Sequence, residues 1–226
     1  MLDEKKLKMK KHVLVFWAAV SLLASIPLFS MIYAREPAKG KHQLSVRAGY
    51  GYVPFDGKSL TLPTRDYGKE LRSGVTWDAQ YSFVKRWFGV GALYTGFTSE
   101  GSHANGSDQV FAHYVAPQLI FGVPLENDRF QLRVNLGAGY MFYLNDSRIY
   151  GKERIVKGGN IGGNFGLEGG WRFSNHWGLS VQLQYILSLL HDVDVDYHGE
   201  TIQVTYPADM LKQSRMSVTV GLTCYF

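Results

Sequence analysis

The sequence predicts an all-β protein: an eight-stranded antiparallel up-and-down transmembrane β-barrel preceded by a cleavable signal peptide. Three observations predict it. A basic leader runs into an uncharged apolar stretch. Eight later segments alternate apolar and polar residues with period two. The connections between those segments alternate short and long. On these grounds residues 1–34 are read as the signal peptide, 35–42 as a short lead-in and 43–226 as the barrel.

The leader comes first. Residues 5–12 (KKLKMKKH) are basic, and residues 13–34 carry no charge. Pro27 and Ser30 interrupt the apolar run, and Ala34 supplies a small residue before Arg35. That is the layout of a secretory signal, and cleavage is expected after Ala34. An uncleaved anchor is the alternative, because the stretch is long enough to span a bilayer. A start at Met9 would give a more ordinary leader. The leader also accounts for most of the net charge of +5. Its first eleven residues hold five lysines against Asp3 and Glu4, and the remainder carries 19 basic and 17 acidic residues. A near-neutral remainder gives no reason to invoke nucleic acid. The lone Cys224 excludes an intrachain disulfide and a multi-cysteine metal cluster.

The segment 130–144 shows the period most clearly. Phe130, Leu132, Val134, Leu136, Ala138, Tyr140, Phe142 and Leu144 alternate with Gln131, Arg133, Asn135, Gly137, Gly139, Met141 and Tyr143. A strand places these two sets on opposite faces, whereas a helix would scatter them. The other segments are 43–53, 73–83, 87–97, 110–124, 160–173, 177–190 and the terminal 215–226. Pro117 sits awkwardly in its segment because it cannot donate to a ladder. The tight turns are 84–86, 126–128 and 174–176. The stretches 54–72, 98–109, 146–158 and 191–212 are read as long polar loops. Strands of about 9–11 residues joined this way suit a membrane barrel. Aromatic residues fall into two belts, one including Phe88, Phe130, Trp171 and Trp177, the other Tyr50, Trp77, Tyr94, Tyr140 and Tyr185. Such belts flank a bilayer core.

The face opposite the apolar one decides between lipid and water. It is rich in Gly, Ser, Thr, Gln and Asn, and its charges are Arg47, Asp78, Arg133, Glu168, Arg172 and Arg215. A water-exposed face would hold more Lys and Glu. The apolar side chains are therefore expected to face lipid and the polar ones to fill the interior. An eight-stranded barrel is just wide enough for that filling. Arg47, Asp78, Arg133, Glu168 and Arg172 are the interior ion-pair candidates, and no permeant pore is expected.

The leader, the eight alternating segments and the final strand MSVTVGLTCYF with its terminal Phe226 together resemble the small eight-stranded outer-membrane β-barrels. These are the family of the OmpA transmembrane domain and OmpX. The resemblance implies residence in the bacterial outer membrane and recognition of the Phe226-ended strand by the barrel-assembly machinery. It covers essentially all of 43–226. Its motifs are patterns, so they specify fold and location far better than activity.

Three segments suggest chemistry. Lipid A deacylases are also small barrels, with a His-x-Ser-Asn pattern. Here Ser174-Asn175-His176 has the wrong order and lies in a short turn, so it reads as turn chemistry. Asp192, Asp194, Asp196 and His198 would share one face if extended, but without calcium-loop spacing they read as a solvated hairpin. The run 158–163 lacks the ending of a phosphate loop and any helix after it. No catalytic residue, cofactor or metal site is assigned. The favoured function is structural or surface-binding, by a monomer that contacts lipopolysaccharide through Arg148, Lys152, Arg154 and Lys157 or adheres through its loops. A lipid A-modifying enzyme and a narrow channel are the alternatives.

Overall fold

The computed structural model describes residues 42–54, 70–85, 88–103, 106–125, 129–188, 192–197, 200–205 and 213–226. The leader, the lead-in to 41, the turn at 126–128, and His191 and His198 lie outside the described residues. Ten strands occur among the described residues: β1 (His42–Tyr52), β2 (Ser73–Lys85), β3 (Phe88–His103), β4 (Gly106–Leu125), β5 (Phe130–Ile149), β6 (Lys152–Arg172), β7 (Trp177–Ser188), β8 (Asp192–Tyr197), β9 (Glu200–Thr205) and β10 (Arg215–Tyr225).

Eight of them close a ring. Each of β1 to β6 pairs antiparallel with its successor, β7 pairs with β10, and β10 returns to β1. Closure leaves no ring strand with an unpaired edge, as lipid demands. One local gap marks Pro117. The β4–β5 ladder pairs Val115 with Tyr140 and resumes at Gln118 with Gly137, skipping the residues between. Proline has no N–H to give, so the ladder opens there without shifting register.

The period-two pattern maps onto the wall as expected. Val46, Val75, Leu119, Leu136, Leu167, Val181 and Val220 are exposed on the outside, while Ser45, Thr76, Gln118, Asn135, Gln182 and Thr219 are buried inside. Phe88, Phe130, Trp171 and Trp177 project at the short-turn end, and Tyr50, Tyr140 and Phe142 at the other.

Two of the expected long loops are largely strand. β3 and β4 continue to His103 and Gly106, and β5 and β6 continue to Ile149 and Lys152. The latter pair turn on two residues, Tyr150 and Gly151, with φ of 48° and 76°. Two positive φ values give the twist that a two-residue hairpin needs, and Gly151 adopts its value without steric cost. The stretch 191–212, also read as a loop, contains the hairpin β8–β9, which adds to β6 through Arg154–Gly158.

Above the second aromatic belt the inner side is no longer uniformly polar. Phe97, Val110, Ala112, Tyr143, Val156 and Val193 form a buried apolar cluster on the inner side, with Val53, Leu71, Val195 and Val204 packed against it. The outer side there carries Asp146, Arg148, Glu153 and Lys157. The solvent outside has changed from lipid to water, so the apolar side chains turn inward.

Candidate functional site

Two places gather charge: the mid-barrel interior and the outer surface just beyond the second aromatic belt. The interior is built by strands whose alternate residues must point inward. Arg47 on β1 and Asp78 on β2 are register partners. Arg133 on β5 and Glu168 on β6 are partners on the other side of the ring. Arg47 joins the two pairs: its Nη2 lies 2.7 Å from Asp78 Oδ1 and its Nη1 lies 3.3 Å from Glu168 Oε2. Arg133 Nη1 lies 3.1 Å from Glu168 Oε1. Neutral donors and acceptors complete the layer. Thr219 donates to Asp78 Oδ2 at 2.8 Å, Asn135 donates to Glu168 Oε2 at 3.4 Å, and Arg47 donates to Gln80 Oε1 at 2.7 Å. Arg133 also donates to Gln131. The charged side chains are almost wholly buried. Two cations and two anions therefore cancel inside the barrel. Buried charges are tolerated when paired and hydrogen-bonded in this way.

Arg172 is not part of this layer. Its guanidinium carbon sits 4.1 Å from the centroid of the Tyr225 ring, near the short-turn rim. Four residues along β6 separate it from Glu168, which is too far for an ion pair, and the aromatic face takes the cation instead.

The outer cluster stands on the β5–β6 hairpin and on β8. Lys157 opposes Leu144, two register positions beyond the pair of Phe142 with Gly159. That places it about 7 Å past the belt. Its Nζ lies 2.8 Å from Asp196 Oδ2 on β8. Arg148 and Glu153 are register partners, joined at 2.7 Å. Lys152 is exposed at the start of β6. Arg154 alternates to the inner face, near Tyr143. Burial pushes the Tyr143 phenol above its ordinary range, with Asp108 adding to the shift and Arg154 opposing it. The four cations of this hairpin are thus divided between two faces.

The belt beneath them holds a polar motif that alternation alone does not single out. Tyr94 and His113 stack at 6.0 Å, with the Tyr94 hydroxyl and His113 Nδ1 2.9 Å apart. Trp77 meets His113 edge-on and covers Gly96, where a Cβ would come within 2.3 Å of the indole. Glycine at 96 is the space in which the indole lies.

The remaining motifs take ordinary roles. Ser174 Oγ accepts from the backbone N–H of His176 and of Trp177, at 3.3 and 3.0 Å, so the hydroxyl builds the turn. Asp196 is engaged by Lys157 and by the Thr201 hydroxyl. No group of three or more His, Cys, Asp or Glu able to hold a metal occurs among the described residues.

Comparison with known proteins completes the picture. A search of curated sequences returned no match. A major outer membrane protein from Thermus thermophilus aligns at TM-score 0.54 and 12% identity, covering 82% of this chain and 99% of that one. Neisserial surface protein A aligns at TM-score 0.49 and 10% identity, covering 82% and 97%. Ail, the attachment invasion locus protein of Yersinia pestis, aligns at TM-score 0.48 and 14% identity, covering 81% and 99%. The Thermus likeness shows a shared fold. The family model for the outer membrane protein beta-barrel domain matches residues 21–206, most of the chain. A closed ring with apolar side chains outside agrees with that match, and the chain belongs to this family, as an integral β-barrel protein of the bacterial outer membrane.

Proposed function

We propose that this barrel is a non-enzymatic, monomeric surface-binding protein whose extended hairpins contact lipopolysaccharide. One observation carries the reading. Lys157 stands on the outward face two register positions beyond the aromatic belt, with Arg148 farther along the same hairpin. Belt aromatics mark the headgroup level. A cation about 7 Å beyond them meets the anionic groups of the outer leaflet. Its ion pair with Asp196, like that of Arg148 with Glu153, is at the surface. Such pairs are worth roughly 0–1 kcal/mol, so a phosphate can replace the carboxylate at little cost. Arg154 faces inward and supports the hairpin instead of touching lipid. Adhesion through the same hairpins is compatible with this reading.

The test is a triple variant, Arg148→Gln with Lys152→Gln and Lys157→Gln. Lipopolysaccharide retained per barrel after detergent purification is expected to fall severalfold, while Arg154→Gln leaves it unchanged. Equal lipid content in the triple variant and the parent would sink the proposal.

A further inference from the structure

Four residues on adjacent strands form one row at the second aromatic belt. Trp77 opposes Gly96, Gly96 opposes His113, and His113 opposes Phe142. Their chain neighbours Thr76, Thr95, Ala112 and Tyr114 are buried inside the barrel. The row therefore faces outward, at the headgroup level. The polar atoms of Trp77, Tyr94 and His113 gather over Gly96. A Cβ at 96 would come within 2.6 Å of the indole Nε1. Trp77 meets His113 edge-on at 6.3 Å, and the Tyr94 hydroxyl lies 2.9 Å from His113 Nδ1. The indole also engages the Tyr94 hydroxyl.

These contacts place the protons. An indole N–H only donates, so it takes a lone pair of the Tyr94 oxygen. The Tyr94 proton then goes to Nδ1, and the neutral imidazole carries its own proton on Nε2. Among the described residues that Nε2–H has no partner. A chain of three donors thus ends in an unmet N–H on the outer face. The inner face of the same wall carries a cation. Arg215 Nη1 donates to Ala112 O at 3.2 Å and Nη2 to Thr95 Oγ1 at 3.3 Å. Ala112 and Thr95 adjoin His113 and Tyr94 in their strands, and the Arg215 charge acts on both rings. Arg215 is buried, so salt screens its charge little. A positive charge behind the row favours an anionic acceptor in front of it over a neutral one.

We propose that the Trp77–Tyr94–His113 row binds a lipid phosphate of the outer leaflet through His113 Nε2–H. The site rests on the reading that lipopolysaccharide surrounds this belt, and it adds a contact at the depth of the belt, below Lys157.

The experiment uses the exported chain, labelled with ¹⁵N-histidine and refolded in micelles of a neutral sugar detergent without phosphate. The ring signals of His113 are those lost in His113→Gln. Unprotonated Nδ1 and protonated Nε2 are expected, with the Nε2 signal shifting saturably as lipid A is added. Lipid A stripped of its phosphates should leave the signal in place, and Tyr94→Phe should diminish the shift. His113→Gln should weaken lipid A binding about threefold to tenfold, the loss of one hydrogen bond. In the Arg148, Lys152 and Lys157 triple variant the shift should persist, at higher lipid A. If His113 is silent while that variant loses lipid, this inference alone fails; if His113 responds while that variant keeps its lipid, the cation reading alone fails. No shift with lipid A, an equal shift without phosphates, or an undiminished shift in Tyr94→Phe would each overturn the proposal.

Discussion

Glu168 is the residue on which the interior layer turns. Arg47 retains Asp78 if Glu168 is neutralised, but Arg133 loses its one counter-charge among the described residues and is left with neutral amide oxygens. Breaking a buried pair by removing one partner costs about 3–5 kcal/mol, because the other charge stays buried. Glu168→Gln is therefore expected to destabilise the barrel by roughly that amount in urea unfolding from lipid vesicles. The double variant Glu168→Gln with Arg133→Met should recover much of the loss. Arg172→Gln, which gives up a stacking contact at the rim, should cost less than about 1 kcal/mol. A loss for Arg172 as large as that for Glu168 would contradict the placement of the two residues. Alternation in the sequence puts all five candidate charges on the inward face. It holds no information on which layer each occupies, because layer height depends on strand tilt and stagger. That is why alternation groups Arg172 with the ion pairs.

At the scale of the element, the ring strands are legible in the sequence and their extensions are not. In lipid, outward residues are apolar and inward ones polar, so the period stands out. Past Phe142 the outer solvent is water and the inner face packs against β8, so Tyr143 and Val156 turn inward while Arg148 and Lys157 turn outward. The inner face there also buries Asn145 and Ser147, so apolar and polar residues no longer sort by face. Without a clear period the stretch looks like a loop, and 146–158 reads as one. The hairpin β8–β9 belongs to the same water-facing region and closes no part of the ring. Replacing 192–205 by a Gly-Ser linker should then leave a heat-modifiable barrel in the outer membrane. The same change uncovers Phe97, Val110 and Val156, so binding of a hydrophobic dye to the purified protein should rise. Loss of heat modifiability would mean that the hairpin is part of the closure after all.

For the whole molecule, the decisive quantity is the solvent outside the wall. On β7 the outward residues run Trp177, Leu179, Val181, Leu183, Tyr185, so Val181 lies midway between the two belts. The eight-residue span from Trp177 to Tyr185 is about 26 Å along the strand, and the tilt of a barrel strand brings it within the roughly 25 Å apolar band of an outer membrane. Val181 is 51% exposed in the protein alone, and its register partner Val220 is 57% exposed. Were water the solvent, a charge at 181 would be nearly neutral in effect. In lipid, arginine at the midplane costs about 2–4 kcal/mol, falling to about 0–1 kcal/mol near the interface. Val181→Arg is expected to destabilise the folded barrel in vesicles by the larger amount, and Leu187→Arg, beyond the Tyr185 belt, by the smaller. The depth dependence is the informative part. A general packing defect would penalise both positions alike, and only a bilayer centred on Val181 makes them differ by more than about tenfold in folding equilibrium.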